Sequence, residues 1–475
     1  MPAAGASKKL SSSTLPPAKP PSGRRWVFRL GALVLGPLLI LGCLEGALRL
    51  CGYGFPTSFF KPVTIGGQEY LVDNDQFSLR FFPPALARIP APVLMQAHKP
   101  ADTIRIFVFG ESAALGDPRP HFGASRYLEV LLRERFPNTR FEIVNAGITA
   151  INSHVILPIA RECARHQGDI WIVYMGNNEM VGPFGAATVF GGQAPPLGMV
   201  RLSLAVQQTR LGQLLMASTR KLGKRSADTA NWHGMEMFLQ NQVLPQDPRK
   251  EVVYRSFRRN LEDILRAGQK AEAKILLNTV AVNLKDCPPF ATLTSTNLAE
   301  ADRATFEQAC GEAAKAAAQG DFAQACQGYT EAARRLPLSA EVQFRLGECA
   351  LRQTNYAAAR QYFQRALDAD LLPFRTDSRL NGLIRQAGLQ FAGPNLVLCD
   401  AAELLATNSP AGIVGQESFY EHVHFNFDGN YRLARLWAAA VEALLPAAVR
   451  QQCRPVWASQ ATCERLLGLT DWNRL

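Results

Sequence analysis

Five short apolar runs recur between residues 101 and 445 and predict strands, and the first of them has the length and β-branched content of a buried strand. A helical segment at 126–136 separates the first two of them, and a closing helix is predicted at 431–445, after the last. Strands that alternate with helices predict a parallel sheet covered on both faces, so the expected fold class is three-layer α/β/α. The predicted strands lie at 104–109, 141–144, 170–175, 275–277 and 396–398.

A longer apolar segment, 26–48, comes before this pattern. Its charge-free centre, 30–44, is a little short for a full membrane span, but Trp26 and Arg29 can extend it at the interface. The preceding residues, 1–25, contain five basic side chains and no acid, and they are rich in Ser and Pro. The pattern predicts a disordered basic tail in the cytoplasm, a single transmembrane anchor, and an extracytoplasmic remainder, periplasmic in a bacterium.

The apolar segment has two other interpretations. A cleavable signal peptide is disfavoured because no small-x-small site follows the run. The segment 40–43 faintly resembles a lipoprotein box, but it has the bulky Leu41 where small residues are preferred. The uncleaved anchor is therefore the prediction.

Composition narrows the class of protein. A chain of 475 residues with 47% hydrophobic and 19% charged residues can bury a sizeable core and is too long for one simple domain. The net charge of +11 comes partly from the tail, and no basic motif with interleaved aromatics favours nucleic-acid binding. The ten cysteines form no C-x-x-C pair, so a zinc site is not expected, and no metal or organic cofactor is implied.

The segment between 304 and 372 interrupts the α/β pattern with a 34-residue self-repeat. Its period and its small and aromatic positions resemble the tetratricopeptide repeat. About two repeats are visible, fewer than a free-standing array needs, so we expect an insertion braced by the main domain. A site for a protein partner and a hairpin with no binding role remain equal alternatives. The matched pairs are Phe322 with Tyr356, Ala325 with Ala359, Tyr329 with Phe363, and Ala332 with Ala366.

These patterns divide the chain into seven segments. The tail and the anchor are followed by a juxtamembrane linker that is rich in proline and aromatic residues. The α/β domain then surrounds the helical insertion, and an extension ends the chain. The expected boundaries are 1–25, 26–48, 49–100, 101–303, 304–375, 376–445 and 446–475.

Three of the predicted strands end in polar segments suited to acyl transfer. Gly-Glu-Ser follows the first at 110–112, Asn-Ala-Gly the second at 145–147, and Gly-Asn-Asn-Glu the third at 176–179. The carboxyl ends of parallel strands meet at one edge, so these segments are expected to lie together. Ser112 supplies a nucleophile and Asn178 an amide donor for an oxyanion. Taken alone, each has a plainer interpretation, an N-cap serine or a turn asparagine.

A fourth polar segment, Glu-His-Val-His at 421–424, lies near the C-terminus. His424 can act as general base for Ser112, and Glu421 can fix the tautomer of that base through the other ring nitrogen. His422 is the competing base, and a loop histidine is the plainer alternative for each. The four segments in this order predict a serine-dependent acyl-transfer site.

These residues resemble the SGNH, or GDSL-type, hydrolase superfamily over about 101–303 and 376–445. That family has Gly-Asp-Ser where this chain has 110–112, Gly-x-Asn-Asp where it has 176–179, and Asp-x-x-His where it has 421–424. The resemblance implies a flavodoxin-like parallel sheet. The sequence lacks the last glycine of the G-x-S-x-G elbow, which argues against the α/β-hydrolase fold.

The same resemblance implies roles for individual residues. Ser112 is the nucleophile and His424 the base, with Glu421 in place of the usual aspartate. Oxyanion donors are Asn178 and the backbone N–H of Ser112. A further backbone donor is expected from 144–150, where Ala150 occupies the position of the family's oxyanion-hole glycine. An alanine at positive φ would be strained, so Gly147 is the alternative donor.

The expected function is a membrane-anchored, extracytoplasmic serine esterase or acylhydrolase. The expected substrate is an acyl ester, with an acylated carbohydrate or a lipid as the candidates, and the resemblance itself says little about which. An O-acyltransferase with the same Ser/His site is one alternative, and it would need a bound acceptor and exclusion of water. An inactive scaffold that presents the repeat to a protein partner is the other, favoured if Ser112 and His424 lie too far apart for a hydrogen bond.

Overall fold

The computed structural model describes residues 22–222 and 234–474, so residues 1–21 of the predicted tail lie outside the described residues. The chain divides into two compact units. One contains Met1–Phe55 and Ala205–Gly223, and the other contains Pro56–Leu204 and Lys224–Leu475. The sequence had assigned 205–223 to the hydrolase-like domain, and the structure groups this segment with the N-terminal helix instead.

Two sheets lie in the larger unit. Strands β1 (Phe60–Ile65), β2 (Gln68–Asp73) and β3 (Leu94–Gln96) form an antiparallel sheet. The second sheet is parallel and contains β4 (Thr103–Gly110), β5 (Arg140–Asn145), β6 (Ile170–Tyr174), β7 (Lys274–Asn278) and β8 (Leu396–Cys399). Its order, β5–β4–β6–β7–β8, is the flavodoxin-like one, so the predicted fold class is confirmed.

The helices of the described residues are numbered in chain order. They are α1 (Ser22–Leu50), α2 (Ser112–Leu115), α3 (Ala124–Arg135), α4 (Ser153–Cys163), α5 (Leu197–Val206), α6 (Arg210–Leu222), α7 (Pro248–Lys270), α8 (Glu300–Ala318), α9 (Phe322–Arg335), α10 (Ala340–Arg352), α11 (Tyr356–Asp368), α12 (Ser378–Gln390), α13 (Ala401–Thr407), α14 (Phe427–Leu444), α15 (Ala447–Arg450), α16 (Gln460–Leu467) and α17 (Asp471–Arg474).

The parallel sheet forms the centre of the main core. Helices α3, α14 and α16 pack in one layer, and α4, α7 and α12 pack in the other. Residues 106–109 of β4 are all fully buried, although alternate side chains of a strand point to opposite faces. Both faces of the sheet are therefore covered, as the continuous apolar runs predicted.

The predicted linker over 49–100 is wrong in part, because β1, β2 and β3 lie within it. A turn at Gly66-Gly67 joins β1 to β2, and both glycines have positive φ. Phe59, Phe77 and Phe82 are buried in the main core. The paired glycines between apolar segments were the sequence signal for this hairpin.

The helical insertion lies between β7 and β8 and begins at Glu300. Helix α8 pairs with α9, and α10 pairs with α11. The 34-residue repeat has a packing reason: Ala325 and Ala359 are fully buried at equivalent positions of α9 and α11, where only a small side chain lets helices approach closely. The assignment to the tetratricopeptide repeat stays a prediction.

The smaller unit contains α1 and α6. Within α1, Arg29–Leu50 has a mean hydropathy of 1.9 and is long and apolar enough to cross a membrane. The Glu45 carboxylate accepts the backbone N–H groups of Arg210 and Leu211, both at 2.9 Å. A carboxylate at a helix N-terminus satisfies N–H groups that have no partner inside the helix. This contact explains why 205–223 belongs with α1.

Candidate active site

Ser112 lies at the carboxyl edge of the parallel sheet, directly after β4. Gly110 ends that strand so close to β6 that a side chain there would contact the Tyr174 carbonyl oxygen. The chain can therefore turn sharply into α2, of which Ser112 is the first residue. The Ser112 side chain is buried, and its Oγ forms no hydrogen bond to any of the described residues.

Glu111 connects this turn to the segment that carries Asn178. Its carboxylate accepts the backbone N–H of Gly176 at 3.2 Å and of Asn177 at 2.8 Å. Burial, followed by the nearby Glu179 carboxylate, raises the pKa of Glu111 well above its ordinary value. The residue beside the candidate nucleophile thus fixes the loop that carries the candidate oxyanion donor.

Glu179 anchors the other end of the same loop. It accepts the backbone N–H of Ser153 at 2.7 Å and the Ser153 hydroxyl at 2.8 Å. Burial raises the pKa of Glu179 to about 7, in spite of these hydrogen bonds. The two glutamates that stand where the resemblance has aspartates therefore hold the loop from both sides.

The Glu421 carboxylate contacts both candidate bases. Its Oε1 lies 2.6 Å from His424 Nδ1 and also accepts the His424 backbone N–H at 2.7 Å. Its other oxygen contacts His422 Nδ1. The Nε2 atom of His424 is buried and has no hydrogen-bond partner among the described residues. A base held at Nδ1 with an unoccupied Nε2 has the arrangement that proton transfer from a serine requires.

Burial lowers the pKa of both histidines. For His422 the pKa falls to about 3, with further contributions from His424 and the Arg375 charge. For His424 burial lowers the pKa and the Asp117 carboxylate opposes the shift. The His422 ring packs edge-to-face on Phe290 at 5.3 Å. Burial therefore favours the neutral form of both imidazoles, which is the form that a general base needs.

A single cavity of about 110 Å³ brings the predicted site residues together. Ser112, Ala150, Asn178 and His424 all line it, and Glu421 supports His424 from behind. The remaining wall is mostly apolar and includes Val181, Phe190, Met235, Phe238, Phe374 and Val423. In the part of the chain that the structure describes, Ser112 and His424 form no hydrogen bond with each other. A catalytic role for Ser112 would require that this hydrogen bond form when a substrate binds, as is common for catalytic hydrogen bonds.

The two alternative backbone donors differ in position. The N–H of Gly147 donates to the Asn145 side chain at 3.0 Å and is therefore already occupied. Ala150 lines the cavity, and its φ of +62° is the left-handed conformation expected for the glycine of the resemblance. Its N–H donates to none of the described residues. The geometry thus favours Ala150 over Gly147 as the donor.

The strain at Ala150 leads to a testable prediction. A left-handed alanine costs roughly 1–2 kcal/mol, and glycine loses part of this gain through its greater freedom in the unfolded chain. We expect Ala150→Gly to raise stability by up to about 1 kcal/mol, measured by thermal unfolding, and to leave esterase turnover within about threefold of the wild type. Ala411→Gly is the matched control, because Ala411 has a φ of +59° outside the cavity. A clear destabilisation by Ala150→Gly alone would contradict the strain argument.

The apolar wall was missed by sequence reasoning. Phe190 follows β6, Met235 and Phe238 lie in a 3₁₀ turn at Gly234–Phe238, and Phe374 follows the helical insertion. These residues come from three segments that are distant in sequence, and none has a periodic pattern. No signal in one sequence marks them as neighbours.

Comparison with known proteins gives few matches. No protein family and no curated protein matches the sequence. The chain is similar to the crystal structure of an acetyl xylan esterase, AlAXEase, with a TM-score of 0.32 and 12% identity, over 71% of this chain and 100% of that one. It is also similar to the crystal structure of the lipase/acylhydrolase from Enterococcus faecalis, with a TM-score of 0.31 and 12% identity, over 75% and 100%. Both likenesses are too distant to transfer an activity or a substrate to this chain.

Proposed function

We propose that the protein is a serine-dependent ester hydrolase. The observation that carries the proposal is the shared cavity of Ser112, Asn178 and His424, in which Glu421 holds Nδ1 of the base and Nε2 has no hydrogen-bond partner among the residues that the structure describes. Nucleophile, base, orienting carboxylate and amide donor are the parts that acyl transfer needs.

The proposed reaction uses the chain's own groups throughout. The Ser112 hydroxyl loses its proton to His424 Nε2 as Oγ bonds to the ester carbonyl carbon. The Asn178 amide and the N–H groups of Ser112 and Ala150 donate to the resulting oxyanion. The tetrahedral intermediate then collapses: the ester C–O bond breaks, His424 gives the proton to the leaving alkoxide oxygen, the alcohol departs, and the acyl group stays on Ser112 Oγ. In the second half, His424 takes a proton from water as the water oxygen bonds to the acyl carbon. The bond to Ser112 Oγ then breaks, Oγ recovers the proton from His424, and the carboxylic acid leaves.

The size of the cavity favours a short acyl group. A dry cavity of roughly 150 Å³ holds a benzene ring. A cavity of about 110 Å³ with mostly apolar walls therefore suits an acyl chain of about two to four carbons. We propose short-chain acyl esters as the substrate class. The alcohol part of the ester would be a hydroxyl group of a carbohydrate or a lipid.

Enlarging this cavity should change the preferred chain length. Phe374 is buried in the wall of the cavity, and Phe374→Ala removes most of that part of the wall. The variant should favour p-nitrophenyl hexanoate over acetate by roughly tenfold relative to the wild type. The reason is that hexanoate has two carbons beyond the four that fit the wild-type cavity, and each newly buried CH₂ contributes about 0.8 kcal/mol. The ratio of the two kcat/KM values is the measurement. Phe344→Ala is the matched control, because Phe344 is equally buried in the insertion and does not line the cavity. An unchanged ratio in a folded Phe374→Ala protein would mean that this wall does not bind the acyl chain.

The proposed setting is a membrane surface outside the cytoplasm. Two observations support it: α1 is long and apolar enough to span a membrane, and positive charge is concentrated in 1–25.

The insertion has a groove between α8, α9 and α10, lined by Tyr329, Arg345 and Arg352. This groove is the proposed contact surface for a protein partner.

The direct test uses the full-length protein in detergent. Hydrolysis of p-nitrophenyl acetate together with labelling by a serine-directed fluorophosphonate supports the esterase. Labelling with negligible hydrolysis, rescued by an added sugar acceptor, would instead indicate an O-acyltransferase. A folded protein that is neither labelled nor active would indicate a scaffold.

A further inference from the structure

The chain that returns from the helical insertion to α12 contacts the candidate active site. This return segment, 370–377, contributes Phe374 to the cavity wall. It also carries Thr376, which is 1% exposed and does not line that cavity. Thr376 therefore does not contact a substrate in the cavity, and any effect that it has on the reaction passes through another residue.

Thr376 is hydrogen-bonded to the loop of the oxyanion donor. Both its backbone N–H, at 3.1 Å, and its hydroxyl, at 2.8 Å, donate to Oδ1 of Asn177. The Asn177 backbone N–H in turn donates to Glu111 at 2.8 Å. Asn177 is thus held on one side by the turn of the nucleophile and on the other by the return segment, and the next residue is Asn178.

Close packing supports the same connection. A β-carbon added to Gly176 would lie 3.0 Å from Thr376 Oγ1 and 3.3 Å from its Cγ2, with φ at +152°. The loop therefore approaches Thr376 as closely as a glycine allows. Hydrogen bonds to Asn177 and packing on Gly176 together fix these two residues, which directly precede Asn178, against this one side chain.

The return segment is itself rigidly held. Arg375 donates to the backbone oxygens of Asn283 at 3.0 Å and Cys287 at 2.8 Å. It also pairs with Asp370 at 3.3 Å, and both side chains are almost completely buried. Burying such a pair is unfavourable unless each charge is paired and hydrogen-bonded, so this geometry resists displacement. The segment can therefore act as a fixed support for the loop.

We infer that Thr376 is a positioning residue that sets the Asn178 amide for oxyanion binding through Asn177. The inference rests on the proposed esterase function. By this inference, the return segment of the insertion helps to position the loop that carries Asn178. An oxyanion donor helps only when it is fixed in advance, so a loosened loop lowers kcat and leaves KM nearly unchanged.

The test is a double-mutant cycle on the full-length protein with p-nitrophenyl acetate. Thr376→Val keeps the branched shape and removes the hydroxyl donor, and it should lower kcat roughly three- to tenfold. Thr376→Ser should keep kcat within about twofold of the wild type, because it retains the hydroxyl. In an Asn178→Ala background, Thr376→Val should have no further effect on kcat, since it acts through the amide that is already missing.

Thr279→Val is the matched control. Thr279 is also fully buried and donates its hydroxyl, at 2.7 Å, to Asp400 rather than to the loop. It should lower the unfolding temperature and leave kcat within about twofold. Should Thr376→Val fail to fold, Asn177→Ala removes the acceptor instead and should show the same dependence on Asn178.

The outcomes separate this inference from the proposed function. Effects of Thr376→Val and Asn178→Ala that multiply would show that Thr376 acts independently of the oxyanion donor and would overturn the inference alone. A wild-type kcat in Thr376→Val would do the same. A wild type without esterase activity, or a Ser112→Ala protein that keeps it, would overturn the proposed function and the inference with it.

Discussion

Replacing Ser112 by alanine is expected to abolish both ester hydrolysis and fluorophosphonate labelling. Among the described residues that line the cavity, Ser112 is the one that combines a hydroxyl with a position on the nucleophile turn. Without it no acyl-enzyme forms, so kcat for p-nitrophenyl acetate should fall on the order of 10⁴-fold or more. The fold should persist, since the Ser112 hydroxyl makes no hydrogen bond to the described residues.

Ser256→Ala provides the matched control for Ser112→Ala. Ser256 is 4% exposed, close to the 5% of Ser112, and it lies on α7 away from the cavity. It should leave both signals unchanged. Hydrolysis that survives Ser112→Ala would mean that another residue is the nucleophile.

Substitution of the base should give the second largest effect. His424→Ala is expected to lower kcat roughly 10²- to 10⁴-fold, the usual contribution of a general base. Glu421→Ala should lower kcat less, because a carboxylate that orients the imidazole matters less than the imidazole itself. Steady-state kcat on p-nitrophenyl acetate is the measurement for each variant.

His422→Ala is the internal control for this assignment. Glu421 contacts Nδ1 of both histidines, so contact with the carboxylate does not distinguish them. The Asp-x-x-His spacing of the resemblance favours His424, and we expect His422→Ala to be nearly silent. A large loss in His422→Ala with little loss in His424→Ala would reverse the two roles.

The pH dependence of kcat/KM should report the pKa of His424. Burial lowers the pKa of His424 below the ordinary value of 6.5. A general base works only when neutral, so activity is present above the folded pKa and is lost as pH falls through it. The acidic limb of kcat/KM should therefore lie below pH 6.5. A limb above that value would contradict a buried His424 as the base.

The sequence was sufficient to predict the strands of the parallel sheet and the polar segments that follow them. Each predicted parallel strand exists, with each end shifted by at most one residue: 104–109 became Thr103–Gly110 and 141–144 became Arg140–Asn145. A strand buried on both faces requires a continuous apolar run, and that run is visible without any partner. Because parallel strands end at one edge, the polar residues after them could be placed together before the structure was known.

The sequence was less informative about segments in which apolar and polar residues show no regular period. The β1–β3 sheet lies where the sequence predicts a linker, because short strands among prolines and aromatics lack a clear alternation. The segment 205–223 was assigned to the wrong unit, because its place depends on hydrogen bonds to Glu45 that are distant in the chain. Local sequence cannot report such contacts.

The sequence by itself determined the α/β order, the apolar N-terminal helix, the helical repeat and the candidate residues Ser112, Asn178 and His424. These are local properties of period, length and spacing along the chain. Only the tertiary structure decided that Phe374 closes the cavity, that Ala150 rather than Gly147 faces it, and that Thr376 supports the Asn178 loop. The physical reason is that side chains separated by more than a hundred residues become neighbours only when the sheet, the insertion and the loops pack, and packing is a property of the whole chain.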